Sequence, residues 1–246
     1  MIPLYDVNPA RNRPRVTRAL ILANVAVFVA TWLLEARGMH SLAPGYGLVP
    51  IRLTVDPLGE WFTVLSSMFI HGGLAHLGWN MLFLHIFGDN VEDKLGSERF
   101  LGFYLLAGLG AGLGQYLMNP TSQVPMVGAS GAIGGVLGGY LVLHPRAPVT
   151  VLNPIPLMWF FAPFLSLPAW LVVGEWFIVN LAGLAGASAE NAGIAFAAHL
   201  GGFLVGLLTV RLFAREDAFE RARVQTQTAL GRPVFWREDK QRPFWK

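Results

Sequence analysis

The 246 residues carry 54% hydrophobic and only 13% charged side chains, with a formal net charge of +3. Soluble globular chains hold about 25% charged residues, so the composition argues against a water-soluble fold. The absence of cysteine excludes disulfides, thiolate catalysis and cysteine-bound metals.

Crossing roughly 30 Å of hydrocarbon takes about 20 helical residues. Six apolar stretches meet that need, at 18–36, 73–91, 99–118, 127–144, 157–183 and 192–213. An all-α membrane protein is expected. It comprises a basic tail over 1–17, a membrane domain over 18–213 and a charged tail over 214–246. The fifth stretch holds Pro163 and Pro168, so it contains a kink or begins with a membrane-surface segment. The first stretch follows an arginine-rich segment without a small-x-small cleavage site, and reads as a retained span rather than a signal peptide. Residues 37–72 form a long loop whose Trp61 and Phe62 place it in the outer interface.

With the N-terminus cytoplasmic, sixteen of the Lys and Arg residues fall inside and two, Arg37 and Arg52, outside. The positive-inside rule selects that orientation, with six spans and both termini in the cytoplasm.

Polar groups within spans are expensive and are paired or functional. Four stand out: His76 and Asn80 in HGGLAHLGWN, Ser130 in GASG, and His199 in AAHLGG. Spans two, four and six run in the same direction, so all four lie within roughly 5–10 Å of the outer boundary. Gly134 and Gly138 follow Ser130 on one helical face, Gly131, Gly135 and Gly139 form the adjacent stripe, and Gly202 and Gly206 follow His199. Small residues at that spacing let helix backbones approach closely. A hydroxyl and an imidazole could then meet as a nucleophile and its base. His76 and Asn80, one turn apart, could both donate to an oxyanion. Each residue has an ordinary alternative. A serine in a span often bonds the preceding turn, a single histidine often packs, and glycine stripes show only close packing. Composition and spacing leave hydrolysis and a solute pathway as equal readings.

In their order and on alternate spans, HGGLAHLGWNMLFL, GASGAIGGVLGGY and AHLGGFLVG resemble the rhomboid family of intramembrane serine proteases, from about Ala19 to Arg211. The resemblance implies a six-transmembrane-helix rhomboid bundle with a long interfacial loop between helices 1 and 2. It implies Ser130 as nucleophile and His199 as general base. The oxyanion donors would be His76, Asn80 and the backbone N–H of Ser130, with His71, Gly128 and Gly131 in support. It implies cleavage of transmembrane protein substrates in the lipid bilayer through an acyl-enzyme, without cofactor, metal or nucleic acid. A bacterial inner membrane is the expected location. A catalytically silent relative that escorts membrane clients is the alternative, and the presence of both Ser130 and His199 counts against it.

Two departures from the family pattern stand out. EWFTVL has Trp61 without the arginine that often follows two residues on, so the first loop is expected to be anchored differently. Gly134 replaces an aromatic that would stack on the imidazole, so another group must orient His199. The charged run from Asp89 to Arg99 reads as a solvated or capping cluster. For Glu175 in the fifth span, protonation, pairing across helices and a place in the cavity all stay open.

Overall fold

The computed structural model of the protein describes residues 1–8, 10–186 and 195–214. Long helices dominate it: α1 (Arg15–Ala36), α6 (Leu74–Leu95), α7 (Ser97–Met118), α8 (Ser130–Leu143), α9 (Ala169–Ala185) and α10 (Phe196–Phe213). Four short helices, α2 (Ala43–Tyr46), α3 (Pro50–Val55), α4 (Pro57–Glu60) and α5 (Thr63–Ser66), lie between α1 and α6. By length and composition α1, α7 and α10 can each cross a membrane, and α8 and α9 are shorter apolar helices. Leu22 and Trp32 on α1, Ile178 and Val179 on α9, and Leu208 and Leu212 on α10 point outward. Apolar side chains covering the outside of a bundle require lipid around it, and the protein is an integral membrane protein. The expected tail beyond Ala214 and residues 192–194 of the sixth predicted span lie outside the described residues.

The fifth predicted span, 157–183, is shorter than drawn: its helix begins at Ala169, after a separate segment rather than through a kink. Pro156, Pro163 and Pro168 lack the N–H that a helix interior needs. The chain before α9 instead forms a hairpin of β2 (Pro148–Leu152) and β3 (Phe164–Pro168), with a 3₁₀ turn at Pro156–Phe160 between them. The hairpin tip exposes Leu157, Phe160 and Phe161, the side chains whose hydropathy imitated a span. A third strand, β1 (Ile2–Asp6), pairs antiparallel with β2, so that the small sheet has the order β1-β2-β3. Part of the expected N-terminal tail is therefore folded onto the hairpin.

This end of the bundle is held by buried polar groups. Glu92, 3% exposed, accepts from the N–H groups of Val16 and Thr17 at 3.0 and 2.8 Å and from the Thr17 hydroxyl at 2.8 Å. The Ser97 hydroxyl donates to it as well, at 2.6 Å. The start of a helix leaves N–H groups without helical acceptors, and its dipole favours an anion there. Glu92 of α6 thus caps α1 and joins it to α7, a buried role rather than a solvated one. Asp6 of β1 accepts from the Tyr140 hydroxyl of α8 at 2.6 Å and from Asn90 at 2.8 Å. Burial raises its carboxyl to about 6, countered by the Tyr140 hydrogen bond and reinforced by Asp89 nearby. Glu175 does not pair with a neighbouring helix as one of its three readings had it: its carboxylate lies 2.7 Å from the amino group of Met1, ahead of β1.

Glycine determines how α7, α8 and α10 pack. A methyl on Gly202 would lie 1.9 Å from the Gly131 carbonyl oxygen, and one on Gly206 would lie 2.0 Å from that of Gly135. A methyl on Gly135 would lie 2.2 Å from Ala107 of α7, and one on Gly110 would meet Val205 of α10 at 2.4 Å. Backbones in contact at several successive turns hold α8 between α7 and α10 with no room to slide. Larger side chains, including Phe87, Phe100, Phe103, Tyr104 and Tyr140, fill the core toward the sheet end. Three helices meet by backbone contact at one end while rings pack the other, so the glycine-lined end is where the backbone of one helix can approach side chains of the next.

The loop from Arg37 to Gly73 is tied down at several points. Arg52 donates through Nε to Glu60 at 2.9 Å and also reaches the carbonyl of Pro44, an anchor immediately before Trp61. Leu48 bridges to Met126 in both directions, Ile51 N donates to Ser122 O, and Ser67 O accepts from Gly128 N at 2.8 Å. The loop therefore supports the segment that delivers the chain into α8.

Candidate active site

Ser130 is the first residue of α8. A helix of fourteen residues is only about 21 Å long, so the chain enters it well inside the depth that a membrane span requires. The extended approach of residues 122–128 ends at Gly128, whose φ of +113° is a conformation other residues rarely adopt. A side chain there would also collide with the His76 ring, 2.7 Å from where its Cβ would be. Gly128 thus lets the chain turn and lets the imidazole lie against the backbone just before Ser130. The first helical hydrogen bond in α8 runs from Ile133 N to Ala129 O. The N–H groups of the first turn, Ser130 among them, have no acceptor within the helix.

His199 is on the first turn of α10, and its Nε2 is 2.7 Å from the Ser130 hydroxyl. The contact exists because Gly134 gives α10 room: a methyl at that position would lie 2.8 Å from the His199 carbonyl oxygen. On the other side, His199 Nδ1 is 2.6 Å from Asn180 Oδ1 of α9. The Trp176 ring, one turn before Asn180, lies 5.9 Å from the imidazole at 38°. A methyl on Gly134 would also touch that indole, at 3.2 Å. The space that an aromatic on α8 would need is already bounded by Trp176 from α9. Neither Asn180 nor Trp176 was singled out from the sequence. Asn180 carried one available signal, an amide within an apolar run and therefore in need of a partner.

His76 and Asn80 are on the first two turns of α6, and the Asn80 side-chain amide donates back to the His76 carbonyl at 2.9 Å. Both side chains line a cavity of about 430 Å³ together with Ser130, His199, Gly128 and Trp176. His71 lies outside the cavity lining. Its ring meets that of His76 edge-on at 5.1 Å, with Nδ1 3.3 Å from the Phe69 carbonyl. Gly131 lines the cavity but acts chiefly at the α7 contact, where a methyl would lie 2.4 Å from Ala111. Three helices spread over more than a hundred residues of chain thus bring a hydroxyl, three nitrogen-bearing side chains and a free helix N-terminus to one cavity. Such a set can deprotonate an alcohol at one wall and hold a negative oxygen at the other.

The profile of the Rhomboid domain matches residues 58–216. Among characterised proteins, the chain is 29% identical over 229 residues to rhomboid-like protein 11, chloroplastic, of Arabidopsis thaliana, covering 87% of this chain and 72% of that protein. It is 26% identical over 212 residues to rhomboid protease AarA of Providencia stuartii, covering 78% and 70% of the two. A shorter match at 43% identity links 83 residues to rhomboid protease GluP of Bacillus subtilis, covering 34% of this chain and 16% of that larger protein. The family thus includes proteases alongside members named only for their likeness. With a matching domain over most of the helical bundle and motif residues gathered at one cavity, the chain belongs to the rhomboid family of membrane proteins.

Proposed function

We propose that the protein is an intramembrane serine endopeptidase cutting membrane-anchored proteins at or near a transmembrane segment. The observation that carries this is the 2.7 Å contact between the Ser130 hydroxyl and His199 Nε2 at the wall of an open cavity. His199 takes the Ser130 proton as Oγ attacks the scissile carbonyl carbon. The carbonyl electron pair moves onto its oxygen, with His76, Asn80 and the Ser130 N–H as its proposed hydrogen-bond donors. The proton then passes from His199 to the departing amine as the C–N bond breaks, leaving an acyl-enzyme on Ser130. Water attacks the ester by the same route in reverse, and His199 again carries the proton.

The charge asymmetry supports an orientation with both termini cytoplasmic, so that the cavity opens on the far side of the membrane. A bacterial inner membrane suits that plan. A transmembrane segment must lose helix locally to present a carbonyl to Ser130, so substrates with helix-weakening residues near that face are favoured.

The test is cleavage of a single-span reporter protein in proteoliposomes. Purified protein should release two fragments, and Ser130→Ala and His199→Ala should leave the reporter intact. An intact reporter with folded wild-type protein, whatever the span sequence, would instead support a non-catalytic protein that binds membrane clients.

A further inference from the structure

We infer that Asn180 is the positioning residue that makes His199 a competent base, so that the Ser130–His199 pair works with its imidazole held by a third side chain. This rests on the serine endopeptidase proposed above and adds a third residue, from a helix that carries none of the recognised motifs.

The orientation of the Asn180 amide follows from its neighbours. Its Nδ2 donates to the Trp176 carbonyl, one turn back on α9, at 2.8 Å. A carbonyl oxygen can only accept, so the NH₂ end of the amide must face Trp176. Oδ1 therefore faces His199 Nδ1, at 2.6 Å. An amide oxygen can only accept as well, so Nδ1 must carry the hydrogen. A neutral imidazole protonated on Nδ1 has its lone pair on Nε2, the nitrogen 2.7 Å from the Ser130 hydroxyl. The opposite tautomer would point an N–H at Ser130 and could not accept its proton. One backbone carbonyl on α9 thus selects, through two hydrogen bonds, the tautomer that the chemistry needs.

The same contact also fixes the ring in space. Asn180 is 5% exposed, so its amide is held away from competing water. Trp176 lies along the ring, and Gly134 leaves it room. When Ser130 Oγ attacks, its O–H bond breaks, an N–H bond forms at Nε2, and the imidazolium keeps its Nδ1–H on Asn180 Oδ1. That hydrogen bond strengthens as the ring becomes positive, which favours the transition state over the resting enzyme.

Two substitutions separate positioning from packing. Asn180→Leu keeps the volume and suits a span but removes the acceptor. Asn180→Asp keeps an acceptor oxygen in place. Both lose the donation to Trp176, so their difference isolates the bond to His199. With the reporter in proteoliposomes, Asn180→Leu should lower kcat by roughly 10²-fold with KM little changed, and Asn180→Asp should recover most of that loss. Equal activity of Asn180→Leu and wild type, or equal losses in both variants, overturns the assignment.

A second readout does not depend on turnover. The ¹⁵N spectrum of His199, identified by its loss in His199→Gln, should show the Nδ1–H tautomer in wild type and in Ser130→Ala. It should shift to mixed tautomers in Asn180→Leu. A wild-type spectrum with the hydrogen on Nε2 contradicts the inference even if cleavage is never observed. Conversely, the expected tautomer without any cleavage leaves the Asn180 bond standing and removes the protease.

Discussion

Gly202 is one turn beyond His199, and a methyl group there would lie 1.9 Å from the carbonyl oxygen of Gly131, the residue after Ser130. A carbon keeps at least about 3.3 Å from such an oxygen. Gly202→Ala therefore forces α8 and α10 apart by about 1.4 Å, at the point where each presents its reacting group. The Ser130–His199 contact of 2.7 Å has little slack. A parting of that size carries it to about 4 Å, past hydrogen-bond reach. Overpacking of this kind costs about 1–3 kcal/mol of stability, and a misplacement near 1 Å costs roughly 10²-fold in rate. No reacting atom is removed. The assay pairs reporter cleavage in proteoliposomes with the thermal midpoint and helical content of the same preparation. The expected result is a folded protein with a modestly lowered midpoint and a roughly 10²-fold lower kcat. Cleavage at the wild-type rate would show that the glycine contact does not set the distance between the two groups.

Three further substitutions probe separate parts of the structure. Asn80→Ala should slow turnover by roughly 10²–10³-fold if the amide donates to the oxyanion, with substrate binding measured on the Ser130→Ala background unchanged; an unchanged rate removes Asn80 from the site. Glu92→Ala strips the cap from α1 and leaves buried donors without an acceptor, so it should cost about 3 kcal/mol. It should lower the thermal midpoint while sparing cleavage measured well below that midpoint, and an unaltered midpoint refutes the capping role. Asp6 tests the sheet end by its pH dependence. Because burial raises its carboxyl to about 6, against 3.8 ordinarily, folding favours the protonated form. Its contribution is complete below pH 4 and is lost as pH rises through 6. The wild-type midpoint should therefore fall relative to Asp6→Asn between pH 4 and 7, and a constant difference contradicts the buried carboxyl.

The helices bearing motifs were legible because their signals are local and repeat. Ser130 and His199 precede glycine stripes, and those stripes bring the two helices together: Gly202 and Gly206 meet the carbonyls of Gly131 and Gly135. What was hidden depends on partners far along the chain. Asn180 looks like a stray amide until α9 docks beside α10, and nothing in its neighbourhood names His199 as its partner. Trp176 likewise lies beside His199, where the family pattern has an aromatic on α8 and this chain has Gly134. Glu92 reads as part of a solvated or capping cluster, because the N–H groups that donate to it belong to α1, about 75 residues earlier. Hydropathy alone hides the hairpin before α9, because it sums side chains without regard to backbone hydrogen bonds. Phe160 and Phe161 are as apolar in a turn as in a span, whereas Pro156, Pro163 and Pro168 decide which forms. β1 gave no sign of its role because a strand of five residues gains stability only from the β2 edge it completes.

The most direct measurement is the site of covalent capture. Purified wild-type protein is treated with a fluorophosphonate, digested and mapped by mass spectrometry. A single adduct on Ser130 is expected, lost in Ser130→Ala and greatly slowed in His199→Ala, because an alcohol without an activating base reacts poorly with such a probe at neutral pH. Well-folded protein that takes up no adduct, or that takes one up elsewhere while Ser130 stays unmodified, would contradict the role of Ser130 as nucleophile.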